Sequence, residues 1–316
     1  MSYNPLILLA TALLITSCTK SSDRPYAAGW KDNNPAGSPE VRQFLDKQAR
    51  VAQRFTIDPT RSNTVVTREG ISFDIPAGIL YTNNNVIATP PVTIAITEYF
   101  TNSDLLTSNV STATTDGKIL NTGGAFHIEA TSNSGEALKI NSPIIVKVPI
   151  RGNYDPAYLQ FPGLDNGATT NLPNRVLWKT DTLRDIPRLD SNYRLVLRSL
   201  SWCNVDKYIQ DLGQGMSQLN VKLPADFGNS NTLVALIFPN NGCVRLTGDP
   251  VSETFTAGFY KLPVGLPLKL LAIANVNGAY FYDYRAITIG KTNMITIPSL
   301  TPITETALAD FIENGL

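Results

Sequence analysis

An all-β protein of two antiparallel β-sandwiches, with a short helix near each end, is expected from three features of the sequence. Beyond Phe55, apolar and polar residues alternate with a period of two through run after run. Clusters of Gly, Asn, Pro and Ser separate these runs, and no helical periodicity intervenes. Charged residues make up 16% of the 316 positions, below the ~25% of an ordinary soluble domain, and uncharged strand and turn residues take their place.

Composition also narrows the function. Lys+Arg 26 balance Asp+Glu 26, so no basic excess exists to displace counterions from a nucleic acid, and that partner is not expected. The single His rules out most multi-histidine metal sites. No Gly-rich phosphate loop or nucleophile elbow is present, so neither a cofactor nor a catalytic residue is assigned.

At the N-terminus, Leu6 to Thr16 form an apolar run about half the ~20 residues of a membrane-spanning helix, as in the core of a signal peptide. Leu14-Ile15-Thr16-Ser17-Cys18 closes this run and resembles the lipobox of bacterial lipoproteins. The resemblance implies that residues 1–17 are a signal peptide and that Cys18 carries the lipid. It also implies a body anchored to the outer membrane and free to meet a protein or glycan partner at the envelope. Lys20 resembles part of the surface-export signal of Bacteroidetes lipoproteins, but Ser21-Ser22 stands where an acidic pair belongs. The periplasmic and the outer face both stay open. Residues 18–37, rich in small and polar residues, are expected to be a flexible tether.

Ser38-Pro39-Glu40 predicts a helix start: a hydroxyl cap, Pro in the first turn and an acid at the positive dipole end. Val41, Phe44, Leu45, Gln48, Ala52 and Phe55 follow at helical spacing, giving an amphipathic helix expected to lie across the first β domain. That domain is placed at 38–150. Its strands are read from Ile71-Phe73-Ile75, Val92-Ile94-Ile96, Phe126-Ile128-Ala130 and Ile144 to Ile150. Glu98 continues an apolar parity at a strand end and is expected to reach solvent. His127 falls on the polar parity and is expected to be exposed.

The run Glu69 to Gly78, followed by Val92-Thr93-Ile94-Ala95-Ile96, resembles the β domain shared by ankyrins, netrin receptors and zonula occludens proteins. Phe55-Thr56-Ile57-Asp58-Pro59, the Ser103 to Leu106 turn and Leu120-Asn121-Thr122-Gly123-Gly124 resemble a group of Bacteroidetes outer-membrane lipoproteins. Across residues 55–150 these resemblances imply a sandwich and an envelope location, with no reaction. Some relatives cut themselves at a His-Phe-Ser step. Here the order is Phe126-His127-Ile128, with no hydroxyl nucleophile, so that activity does not carry over.

Residues 151–192, dense in Pro, Gly and Asn, are read as a linker, with Trp178 buried against one domain or between both. A second sandwich is placed at 193–316. Thr232 to Phe238 is apolar on both parities, as in a strand covered on both faces. Phe259 to Gly265, running into Leu268 to Ala274, resembles transthyretin-like modules. Asn277-Gly278 signals a type I′ hairpin that puts Asn275 opposite Tyr280, Ile273 opposite Tyr282 and Leu271 opposite Tyr284. Tyr280, Tyr282 and Tyr284 then share a face, either as a ligand platform or as structural aromatics; the apolar partners favour the latter. Cys203 and Cys243 are the candidates for a disulfide in the exported body. A bridge would be worth on the order of 4 kcal/mol, but both lie in apolar strand-like runs that suit free buried thiols. Thr304 is read as the cap of a C-terminal helix ending at Gly315.

The reading as a whole is a lipid-anchored protein with a non-enzymatic binding or assembly role. The alternatives are a carbohydrate-binding module and an autoprocessing or hydrolytic enzyme.

Overall fold

The computed structural model describes residues 29–31, 34, 37–167, 173–180, 184–291 and 294–316. The fold is all-β, with three short helices among the described residues: α1 (Pro39–Lys47), α2 (Asn102–Thr107) and α3 (Glu305–Gly315). Two sandwiches stack against each other, and a third apolar core lies between them.

In the first sandwich, one sheet runs Gln53–Ile57, Val92–Tyr99, Leu120–Ser132, Trp202–Tyr208, Leu159–Asp165, Val176–Trp178 and Val110–Thr114, with Arg184–Asp185 pairing alongside. The facing sheet runs Arg188–Leu189, Asn192–Leu197, Ile144–Pro149, Ser72–Ile75 and Asn63–Val66. Their inner faces interdigitate through Phe73, Phe126, Ile94, Val146 and Leu195, all fully buried. The alternation seen in the sequence is thus the packing pattern of two facing sheets.

This sandwich does not end at Ile150. Leu159–Asp165 lies inside its larger sheet, and Asn192–Leu197 and Trp202–Tyr208 pair with Ile144–Pro149 and Leu120–Ser132. The stretch expected as a linker, and the opening strands assigned to the second domain, therefore complete the first. Pro162 misled the reading because proline breaks a ladder. It sits where its strand changes partners: Leu159–Pro162 pairs with the Trp202 strand and Gly163–Asp165 with the Trp178 strand. The Ser103 to Leu106 turn is instead α2, closed by a reciprocal capping box between Thr101 and Asp104. Two strand pairs among the described residues are parallel, Val110–Thr114 with Val176–Trp178 and Asn220–Lys222 with Met294–Thr296.

The second sandwich packs Thr247–Asp249, Thr254–Thr256, Asn220–Lys222 and Met294–Thr296 against Gly242–Arg245, Thr232–Phe238, Pro267–Val276, Ala279–Thr288 and Thr301–Ile303. Thr232–Phe238 is buried along its whole length. Val234, Leu236 and Phe238 enter this sandwich's core, while Leu233, Ala235 and Ile237 enter the core between the sandwiches. Asn277 (φ 52°) and Gly278 (φ 85°) form the expected hairpin turn, with the expected register.

The leading helix has its expected Ser38 cap, whose hydroxyl accepts the Val41 N–H at 3.2 Å. It does not lie across the first domain alone. Val41, Phe44 and Leu45 enter the core between the sandwiches, and Ser38 N–H donates to the Thr232 carbonyl of the second. The far end of the expected tether is docked as well. Trp30 stacks 5.3 Å from Phe255 in the second core, and Gly29 accepts from Ser230. The indole of one buried tryptophan outweighs the polar residues around it.

Candidate functional site

Where the two sandwiches meet, a cleft of about 520 Å³ opens. Its size falls within the range of small-molecule sites, and such sites favour domain junctions. Three pieces of chain build it. The floor is Thr122-Gly123, in the Leu120–Ser132 strand where the pairing register shifts against Trp202–Tyr208. One wall is the Arg151 to Pro156 segment together with Tyr158 and Tyr193. The opposite wall is the Asn240-Asn241 turn of the second sandwich.

Glycine is required in the floor. A side chain at Gly123 would begin 3.0 Å from the Tyr158 ring, and one at Gly124 would begin 2.3 Å from the Phe100 ring. The two glycines thus let Tyr158 and Phe100 close against the strand. On the far wall, Asn240 (φ 62°) and Asn241 (φ 60°) are both left-handed, and the Asn241 carbonyl accepts the Thr122 N–H at 3.3 Å. That bond ties the second sandwich to the floor.

Tyr193 organises the first wall. Its hydroxyl accepts the Asp155 N–H (3.2 Å) and donates to the Asp155 carbonyl (3.3 Å). The Tyr154 and Tyr158 rings pack 5.7 and 5.4 Å from it. Burial pushes the Tyr158 phenol up to about 12, so it stays a hydrogen-bond donor. The charges of the cleft are internally paired. Lys207 Nζ lies 2.6 Å from Asp155 Oδ2 and over the Tyr158 ring, and Arg151 Nη2 lies 2.6 Å from Glu69 Oε2 with its guanidinium 3.9 Å from the Phe100 centroid. The hydrogen bond from Lys207, followed by the Ala157 N–H, holds Asp155 below its ordinary value.

Beside the floor, Asp206 pairs with Thr122 across the ladder and is fully buried. The Asn204 amide donates to it at 2.6 Å, while Asp206 Oδ1 has no partner among the described residues. Burial pushes this carboxyl well above the usual carboxylate range, which favours its protonated form. A second concavity, about 480 Å³, lies along Ile237 to Pro239 and Pro267 to Lys269, and its lining is mostly apolar.

The residues singled out by sequence are dispersed. Cys18 lies outside the described residues. Cys203 and Cys243 are free thiols in different cores, each pushed up to about 12 by burial, and the bridge left open by sequence is not formed. Tyr280, Tyr282 and Tyr284 share a face as expected and are half-buried, packed on one side by the helices: Phe44 of α1 lies 5.1 Å from Tyr280, Phe311 of α3 lies 5.3 and 5.2 Å from Tyr282 and Tyr284, and Tyr284 also lines the second concavity. Glu98 corrects its expectation. It is buried, receiving bonds from the Thr67 hydroxyl, the Gln53 amide (2.7 Å) and the Glu69 N–H (3.3 Å), because neighbouring strand ends supply the partners solvent would have. His127 is half-buried, its ring 4.7 Å from Trp202, and that burial lowers its pKa.

The cleft's residues were missed. Tyr154-Asp155-Pro156 lies in the stretch expected as a linker, and the far wall could have been found from the turn signal of Asn240-Asn241. Leu120 to Gly124, whose only sequence signal is a resemblance, supplies the floor. Among the described residues, no group of three or more His, Cys, Asp or Glu could hold a metal ion, and no helix is long and apolar enough to cross a membrane. The sequence matches no family model, and no curated protein matches it.

Proposed function

We propose that this is an exported protein, lipid-anchored at Cys18 to the bacterial outer membrane, with a non-enzymatic binding role at the envelope and its ligand seated in the cleft between the sandwiches. The observation that carries the binding role is the cleft itself. It is concave and walled by tyrosines, and among the described residues the Tyr154 and Tyr158 hydroxyls and the Asn153, Asn240 and Asn241 amides that line it make no hydrogen bond to protein. The lipobox-like Leu14 to Cys18 supports the anchor. The state of the acids supports binding over hydrolysis: Asp155 and Glu69 are tied in ion pairs, and Asp206 is buried beneath the surface.

Two experiments test the two halves. Cys18→Ser is expected to release the protein from membranes and abolish labelling by a clickable fatty acid; unchanged labelling ends the anchor. Small molecules extracted from envelopes are expected to raise the melting temperature of the wild type and not of an Asn240→Gly/Asn241→Gly variant. Equal shifts in both proteins would remove the ligand from the cleft.

A further inference from the structure

We propose that the cleft recognises a neutral oligosaccharide, an inference that rests on the cleft being the ligand seat. Four observations lead to it. The first concerns charge. Both cations at the cleft are held by carboxylates at 2.6 Å, Arg151 by Glu69 and Lys207 by Asp155. A charged ligand would have to break one of these pairs, whereas a neutral one leaves both intact.

The second concerns hydrogen bonding. Among the described residues, the hydroxyls of Tyr154 and Tyr158 and the side-chain amides of Asn153, Asn240 and Asn241 make no hydrogen bond to protein, yet all five residues line the cleft. Each amide offers donors and an acceptor on adjacent atoms, and each phenol offers one of each. Sugar hydroxyls present the same mixture. A carboxylate or phosphate would need donors alone.

The third concerns the turn. Asn240 and Asn241 both adopt the left-handed backbone that asparagine tolerates in tight turns. Two consecutive asparagines there bring two amides to the wall. The fourth concerns peptides. Peptide recognition by strand addition needs a free sheet edge. Here the Thr122 N–H on the floor is already taken by the Asn241 carbonyl. The tilted Tyr154 and Tyr158 rings instead offer faces against which the C–H face of a sugar ring can lie.

The test is calorimetric titration of the full chain in detergent with short gluco-, xylo-, manno- and N-acetylglucosamine oligosaccharides, with oligogalacturonate as the anionic control. One neutral series is expected to bind, with an affinity that raised salt leaves unchanged. Asn240→Gly/Asn241→Gly, which keeps a turn that glycine accepts, is expected to weaken that binding by about tenfold or more. Tyr154→Phe/Tyr158→Phe, which keeps both rings, is expected to act in the same direction. Absence of binding by every neutral series overturns the inference, as does binding that both variants leave unchanged. Binding of oligogalacturonate alone, lost in the variants, overturns neutral-sugar recognition while leaving the cleft as a ligand seat.

Discussion

Two tyrosine clusters occupy this protein, and they differ in what covers them. Tyr280, Tyr282 and Tyr284 alternate along a single strand, so the pleat alone puts them on one face. Tyr154, Tyr158 and Tyr193 come from a loop, a strand approach and a distant strand, and only tertiary contacts assemble them. The first cluster has the regularity of a ligand platform, but α1 and α3 lay Phe44 and Phe311 over it. The second lacks any pattern in sequence, and it lines the cleft. Aromatic spacing therefore reports which face a residue takes. Whether that face is free depends on elements far along the chain.

The contrast can be broken experimentally, most forcefully at the covering helix. Phe44 is fully buried between the sandwiches against Tyr280. Phe44→Ala is expected to cost about 4 kcal/mol in a denaturant titration. A cost under about 1 kcal/mol would mean that α1 does not hold the helix-packed tyrosines.

A paired substitution compares the clusters directly. Tyr282→Ala is expected to cost about 3 kcal/mol, because the ring packs against Phe311 and the core between the sandwiches. Tyr154→Ala, at the open cleft, is expected to cost less than about 1 kcal/mol. Equal losses would erase the distinction between helix-packed and cleft-lining tyrosines.

A smaller, pH-dependent effect concerns the support beneath the cleft. The Asp206 carboxyl is raised by burial, so the folded state binds its proton more tightly than the unfolded state does. Its contribution to stability is full below 3.8, the ordinary aspartate value, and is progressively lost as pH rises toward the folded value. Asp206→Asn removes this linkage while keeping the shape. The melting temperature of the variant relative to wild type is therefore expected to climb with pH above 3.8. A difference that is flat with pH would show that Asp206 is ionised in the fold.

The smallest effect is a probe of each core that leaves stability untouched. Cys203 lies in the first sandwich and Cys243 in the core beneath the helix-packed tyrosines, both fully buried. Neither is expected to react with a thiol reagent in the native protein, and both are expected to react once denatured without reductant. A native-state reaction at Cys243 alone would place the weaker seal under the helix-packed cluster.

Local features of the sequence were legible wherever the physics was local. The Asn277-Gly278 turn set the register of its hairpin because only residues tolerant of positive φ close so tight a loop. Ser38 and Thr304 marked their helix starts because each hydroxyl meets an N–H three residues on. Thr232–Phe238, apolar on both parities, was readable as doubly covered for the same reason.

Partner choice was settled elsewhere. Nothing in Asn192–Leu197 or Trp202–Tyr208 distinguishes a strand of one sandwich from a strand of the other; both assignments satisfy the alternation equally. Their pairing with Ile144–Pro149 and Leu120–Ser132 follows from chain geometry across gaps of many residues. The burial of Glu98 belongs to the same class, since its partners Gln53, Thr67 and Glu69 come from strand ends far along the chain. So does the cleft, whose floor and two walls meet only once the two sandwiches dock. Periodicity and turn chemistry act through neighbours in sequence, and they decided the all-β class, the caps and the hairpin. Sheet membership, covered faces and the binding cleft depend on neighbours in space, and tertiary packing alone decided them.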